Sequence, residues 1–201
     1  MGSSWVRDRA RLEALARAIE PSVRVQTKNG AHWRALAWLA ALATFGGISR
    51  RTFLEDYATT LGPLHGYPRA WSVERVEATL VHEARHTSQA RWCGLGIHPW
   101  LGMPVFAVLY LALPLPVGFG LARLLFEIDA DRATWRHALA AGAAPEQVRA
   151  RAREFGDRVC SGHYGWPVPR GLGLALFARA AERTIAAHAR ADALSVAERT
   201  A

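Results

Sequence analysis

Residues 72–92 read SVERVEATLVHEARHTSQARW, and this stretch is the main basis for predicting the fold and the function of the chain. Apolar residues recur in it at helical spacing, and serine is a favoured residue type at a helix N-cap. We therefore predict a helix that begins at Trp71 or Ser72 and runs to about Trp92. Glu74 lies in the first turn, where a carboxylate interacts favourably with the helix dipole.

Residues 82–86 of this helix, HEARH, have the pattern HExxH. Positions four apart on a helix share one face, so His82 and His86 can converge on one tetrahedral zinc ion, Zn2+. Glu83 follows the first histidine directly, where it can reach a water on the metal instead of the metal itself. These residues predict two zinc ligands and a general base.

A second predicted helix, from about Leu121 to Ala141, offers the third ligand. Its residues Glu127 and Asp131 are four apart and therefore share a face. We expect Glu127 to bind the zinc ion and Asp131 to accept the N–H of a ligating histidine, which fixes the tautomer of that histidine. A histidine six residues after the motif is excluded because Trp92 occupies that position. Three other histidines remain open as ligands, namely His98, His137 and His163.

HEARH followed by EIDAD at 127–131 resembles the HExxH and ExxxD pair of gluzincin metallopeptidases, including HtpX-like and CAAX-prenyl-protease-like membrane peptidases. The continuation to Gln89 also resembles the HExxHxxQ of small phage and toxin-associated domains, although Gln89 taken alone is expected at the surface. The resemblance covers residues 57–135. It implies a zincin-like core, an apolar helical hairpin between two ligand helices, and zinc-dependent hydrolysis of a peptide or protein substrate. It also implies that residues 57–64 pair with substrate as an edge strand.

The remaining pattern predicts a mainly α fold with a minor β element. At 201 residues the chain is expected to form one metallopeptidase domain, residues 1–201. We predict amphipathic and apolar helices in 1–51, a zinc-binding core in 52–142 and C-terminal helices in 143–201. Within these parts, the periodicity predicts an amphipathic helix over 5–20, a core helix over 35–49, short strands or a hairpin over 52–70, and helices over 145–156 and 172–189.

Residues 93–122 contain no Asp, Glu, Lys or Arg, and this length could cross a bilayer once. A single crossing would place Glu127 and the two histidines on opposite sides, so the metal assignment requires the segment to fold back near Leu113–Pro116. The segment is then either a membrane-associated hairpin or a buried core hairpin. Trp100 and Tyr110 suit an interface between lipid and water.

Residues 163–167, HYGWP, follow the last predicted metal residue. Peptide hydrolysis needs a hydrogen-bond donor to the oxyanion, and we predict that His163 or Tyr164 supplies it. The alternative is an aromatic anchor that packs Trp166 and Pro167 against the core.

The charge composition limits the kinds of partner that the chain is expected to bind. The net charge is +8, and Lys28 is the only lysine, so arginine supplies almost all of the positive charge. An Ala/Arg-biased genome is the first explanation of this charge, which also suits an anionic membrane, a nucleic acid or an acidic substrate. No Arg/Lys cluster with interleaved aromatics forms a nucleic-acid motif, so a nucleic-acid partner is not expected. Cys93 and Cys160 are expected to be buried free thiols. Residues 1–20 lack a signal peptide, so we expect a membrane-associated or cytoplasmic location.

Two other classes of function stay open. One is a catalytically silent zinc-binding scaffold, such as a component of a phage or toxin apparatus. The other is a basic membrane-binding or nucleic-acid-binding module in which HExxH arose by accident.

Overall fold

A computed structural model describes residues 4–43, 49–112, 121–160 and 168–200 of the chain. These residues form mainly helices with one small three-stranded sheet, which confirms the predicted mainly α class with a minor β element. The chain divides into two compact units, residues 1–103 and 104–201. The prediction of a single domain over 1–201 stays a prediction.

The first unit contains most of the short elements and the whole sheet. Its elements in chain order are a 3-10 turn (Ser4–Val6), α1 (Arg9–Arg17), β1 (Arg24–Thr27), α2 (Ala31–Ala43), α3 (Arg50–Glu55), β2 (Thr59–Leu61), β3 (Leu64–Tyr67) and α4 (Val73–Cys93). Helix α5 (Pro99–Ala107) follows, and the division between the units falls within it. The second unit continues with a π-helical turn (Val108–Ala112), α6 (Leu121–Ala140), α7 (Pro145–Val159) and α8 (Arg170–Thr200).

The sheet has the strand order β1-β3-β2. Strand β1 runs parallel to β3, whereas β2 is antiparallel to β3, with Thr60 opposite His65 in the register. The predicted hairpin within 52–70 is therefore confirmed for residues 59–67, but α3 precedes it, and β1 was not predicted. Within the described residues, β2 is an edge strand, which leaves one side of its backbone without a strand partner.

Helix α4 forms at the position that was predicted from the sequence of residues 72–92. The Ser72 side chain accepts a hydrogen bond from the backbone N–H of Arg75, and the helix ends at Gly94. The cap removes one of the unsatisfied donors of the first turn. The buried face carries a stripe at helical spacing, Val76, Leu80 and Ala84, which packs into the core of the first unit. This core also contains buried side chains from the 3-10 turn, α1 and the sheet, namely Trp5, Leu12, Val25 and Tyr67.

The second unit is a helical assembly with its own core. Helices α6, α7 and α8 bury apolar side chains against one another, among them Leu124, Trp135, Val148 and Phe177. Trp135 and Phe177 meet edge to face with ring centroids 6.3 Å apart. All three helices were predicted, and α8 extends further at its C-terminal end than residue 189.

Two expectations about burial differ from the structure. The apolar helix predicted over 35–49 exists as α2, but Trp38, Leu39 and Leu42 are exposed, because only part of the helix faces the core. Cys93 and Cys160 are free thiols as predicted, yet both are half-buried. Partial burial raises the pKa of each thiol above its ordinary value.

The apolar segment 93–122 is described up to residue 112. It contains α5 and the π-helical turn, and the predicted fold-back at 113–116 lies outside the described residues. Among the described ranges, no helix has both the length and the apolar character that a bilayer crossing needs.

Gly66 provides a stability test of the sheet. A Cβ at this position of β3 would lie 2.6 Å from the ring of Trp33, which is fully buried and has no room to retreat. We expect Gly66→Ala to lower the free energy of unfolding by about 1–3 kcal/mol, as overpacked cores do. Urea denaturation of the purified variant measures this loss.

Gly171 in α8 is the matched control, since nothing lies within 4 Å of its added Cβ. Gly171→Ala is expected to leave stability unchanged or to raise it by up to about 1 kcal/mol through helix propensity. Equal stability of the two variants would contradict the tight contact between β3 and Trp33.

Candidate metal centre

The two histidines of HEARH face each other on α4. Their Nε2 atoms are 3.0 Å apart, and the ring planes meet at 83° with centroids 4.7 Å apart. His86 is buried and His82 is half-buried. Two ring nitrogens at this distance share either one proton or one cation, and the one-turn spacing of the motif produces this convergence.

Gln89 selects the tautomer of His86. Its carbonyl Oε1 lies 2.8 Å from His86 Nδ1, so in the neutral ring Nδ1 donates the hydrogen bond and Nε2 carries the lone pair. This lone pair faces His82. Gln89 is buried, so the expectation that it lies at the surface is wrong. The sequence offered a signal for this contact, because positions 86 and 89 are three apart and lie on one helix face.

The histidine pair fits a tetrahedral zinc ion. Two ligands of such an ion, each with a Zn–N bond of about 2.0–2.1 Å, have their nitrogens about 3.3 Å apart. The observed separation of 3.0 Å is close to this value. The tautomer of His86 leaves the correct nitrogen available, so both distance and protonation suit a metal ligand.

Glu83 is held by the edge strand of the sheet. The Thr60 hydroxyl of β2 donates a hydrogen bond of 2.5 Å to Glu83 Oε2. One carboxylate oxygen is thereby fixed, and the rotamer of a half-buried side chain becomes defined. Sequence reasoning missed Thr60, because a contact between residues 23 positions apart leaves no local pattern.

The Glu83 carboxylate also has a buried cation in its electrostatic surroundings. Burial lowers the pKa of Lys28 to about 8, while the negative charge of Glu83 acts in the opposite direction. The Lys28 ammonium donates to the backbone carbonyls of Phe53 at 2.6 Å and Tyr57 at 3.0 Å. It also lies 4.0 Å from the centre of the Phe53 ring. The only lysine of the chain therefore ties β1 to α3 and to the loop before β2.

A second buried contact joins the sheet to α4 next to the metal motif. Thr87 Oγ1 lies 2.8 Å from the carbonyl of Gly62 and 2.8 Å from His65 Nε2. The hydroxyl has one proton, which it donates to Gly62, so His65 must donate from Nε2. His65 Nδ1 then carries no proton and has no hydrogen-bond partner within the described residues. Burial lowers the pKa of His65 to about 4.

The predicted third ligand lies in the second unit. Glu127 and Asp131 are both buried on α6. The Tyr110 hydroxyl, in the π-helical turn, donates a hydrogen bond to Glu127 Oε1. Burial and the nearby Glu127 charge raise the pKa of Tyr110 above its ordinary value. Tyr110 was expected at an interface with lipid, whereas the structure places its hydroxyl on the carboxylate of a predicted ligand.

The other predicted site residues are placed as follows. His163 and Tyr164 lie outside the described residues. His98 lies in the turn after α4, where its Nδ1 accepts a hydrogen bond from the Trp100 backbone N–H. His137 lies near the C-terminal end of α6.

The buried His65 predicts a pH dependence of stability. Its pKa is about 4 in the folded chain and 6.5 without burial. The unfolded chain therefore takes up this proton first on acidification, so the free energy of unfolding falls as pH drops below 6.5. We expect a loss of about 2 kcal/mol at about pH 5 relative to about pH 7.

His65→Gln is the control, because glutamine can still donate to Thr87 but does not titrate. Between the two pH values, the free energy of unfolding of this variant should fall by about 2 kcal/mol less than that of the wild type. Urea midpoints of both proteins at both pH values give the difference. Identical pH dependence in the two proteins would show that His65 is not held neutral.

No protein-family model, curated protein or solved structure matches the chain. The resemblance to gluzincins therefore stays a prediction from the residues of HEARH and EIDAD.

Proposed function

We propose that the protein is a zinc-dependent metallopeptidase that hydrolyses peptide bonds in a peptide or protein substrate. The observation that carries the proposal is the pair of facing Nε2 atoms of His82 and His86, 3.0 Å apart, with His86 locked by Gln89 in the metal-binding tautomer. A helix that merely displayed polar residues would not need to bury the amide that selects this tautomer.

Glu127 is the proposed third ligand. With His82 and His86 it would complete a set of two imidazoles and one carboxylate, the donor types that hold a catalytic zinc ion. The Tyr110 hydroxyl orients its carboxylate, as hydrogen bonds around metal sites commonly do. Asp131, one turn further along α6, is the proposed acceptor for the outer N–H of a ligating histidine. For His86 that position is taken by Gln89, which leaves His82 as the histidine that Asp131 would serve.

A zinc ion held by two imidazoles and one carboxylate would supply a Lewis acid that polarises the scissile carbonyl and lowers the pKa of a water molecule to about 7. Glu83 receives the proton of that water and returns it to the leaving amine. Thr60 keeps one Glu83 oxygen occupied, so the other oxygen faces the reaction. His163 or Tyr164 is the proposed donor to the oxyanion.

Strand β2 is the proposed binding edge for the substrate backbone. Its outer side has no strand partner within the described residues, and Thr60 in its centre contacts Glu83. A peptide that pairs with this edge would be aligned by backbone hydrogen bonds beside the proposed general base. This arrangement explains how binding and proton transfer could be coordinated by one short strand.

Glu83→Gln tests the general base. We expect the variant to retain its zinc and to lose hydrolysis of a denatured protein substrate by a factor of at least about 100, because an amide cannot accept the proton. Zinc content by elemental analysis and the rate of peptide release are measured on the same preparation. Glu77→Gln, on the same helix but in a surface ion pair with Arg11, should keep full activity.

Zinc without turnover in the wild type would instead indicate a silent scaffold. Full turnover in Glu83→Gln would exclude Glu83 as the base and require another residue in that role.

Zinc stoichiometry tests the third ligand. The wild type should contain about one zinc per chain, and Glu127→Ala should lower its zinc affinity at least about tenfold. Glu146→Ala removes an exposed carboxylate of α7 and should bind zinc as the wild type does. Wild-type protein that takes up no zinc after reconstitution would overturn the metal site and the proposed activity together.

A further inference from the structure

Residues 92–101, here called the apolar turn, comprise the end of α4, the link to α5 and the start of α5, and they display apolar side chains to solvent. Its sequence is WCGLGIHPWL, and it contains no Asp, Glu, Lys or Arg. Five large apolar side chains of this apolar turn are 43–89% exposed, namely Trp92, Leu95, Ile97, Trp100 and Leu101. An exposed group of this size in ten residues is unusual for a surface that contacts only water.

The apolar turn is an ordered structure. The backbone N–H of Gly96 donates to the carbonyl of Arg91 at 3.0 Å, and the N–H of Ile97 donates to Gly94 at 3.2 Å. The Arg91 guanidinium donates to the Ile97 carbonyl at 3.1 Å and forms an ion pair with the buried Glu20. These contacts fix the turn to the body of the first unit. The apolar side chains are therefore held outward by a defined backbone.

Leu95 is the most exposed of these side chains and has an unfavourable backbone conformation. Its φ is 57°, in the left-handed region that leucine rarely occupies, and its side chain is 89% exposed. Glycine or asparagine would adopt this conformation more easily. Because Leu95 is 89% exposed, burial within the chain does not offset this strained conformation, whereas insertion into an apolar surface would bury the side chain.

A lipid surface fits this turn better than a protein partner does. Stable protein interfaces use about 20–30 residues on each side, whereas the turn offers five large exposed apolar side chains. Projecting tryptophans and aliphatic side chains can enter the boundary between headgroups and acyl chains one by one. The net charge of +8 would attract the chain to anionic headgroups without any charge in the inserted part.

We propose that the apolar turn, residues 92–101, is a membrane anchor that inserts Trp92, Leu95 and Ile97 into the surface of an anionic phospholipid bilayer. The anchor lies on the surface and does not cross the bilayer. Trp100 connects it to the sheet, because its ring packs over Gly62, one of the two residues between β2 and β3. The inserted side chains all lie in the first unit, and the inference does not depend on the proposed activity.

The test is sedimentation of the full chain with vesicles of phosphatidylcholine, either pure or with a minority of phosphatidylglycerol. The wild type should bind the anionic vesicles more tightly, and added salt should weaken the binding. The double variant Leu95→Asn/Ile97→Ser should bind at least about tenfold more weakly, since it removes two inserted aliphatic side chains. Asparagine suits the backbone conformation at position 95, so the variant should fold as stably as the wild type.

Leu172→Ser/Leu194→Asn is the matched control, because it removes two exposed leucines of α8. It should bind vesicles as the wild type does. Unchanged binding of the turn variant, or equal loss in the control, would overturn the anchor. Equal wild-type binding to both vesicle compositions would overturn the anionic preference. Sedimentation velocity without lipid should show a monomer; a dimer that the turn variant abolishes would assign the surface to a second copy of the chain.

Discussion

The buried hydroxyl group of Thr87 connects the sheet of the first unit to the helix that carries HEARH. It donates to the Gly62 carbonyl beside the hairpin and accepts from His65 in β3, both at 2.8 Å. These groups are buried, and a buried polar atom without a hydrogen-bond partner lowers the stability of the folded state. The hairpin and α4 are therefore held in one register, with His86 directly beside the connection.

This register determines what the metal motif can do. It places the Thr60 hydroxyl of β2 2.5 Å from the Glu83 carboxylate. One turn further along α4, the Gln89 side chain accepts a hydrogen bond from His86. Both the proposed base and the proposed ligand are thus oriented by a neutral hydrogen-bonding partner before any substrate arrives. Such preorganisation is what separates a catalytic arrangement from a set of residues that merely have suitable chemistry.

Besides this ordered site, the chain has large apolar side chains that are exposed to solvent instead of buried. Helix α2 leaves Trp38, Leu39 and Leu42 exposed, and the apolar turn after α4 does the same with a strained leucine at its tip. Both features lie in the first unit, the unit with the histidine pair. A proposed peptidase whose histidine-bearing unit also binds a lipid surface would encounter substrates concentrated at that surface.

The sequence by itself determined the elements that depend on neighbours along the chain. Ser72 caps α4 from three residues away, and the four-residue spacing of His82 and His86 brings the two rings together on any regular helix. The mainly α class followed from the same local periodicity. What tertiary structure alone decided were the contacts between distant residues. Strand β1 pairs with β3 from about 40 positions away, and Thr60 reaches Glu83 across 23 positions. Burial of Gln89 and exposure of Leu95 depend on which elements cover each side chain, and no pattern within a single helix or turn contains that information.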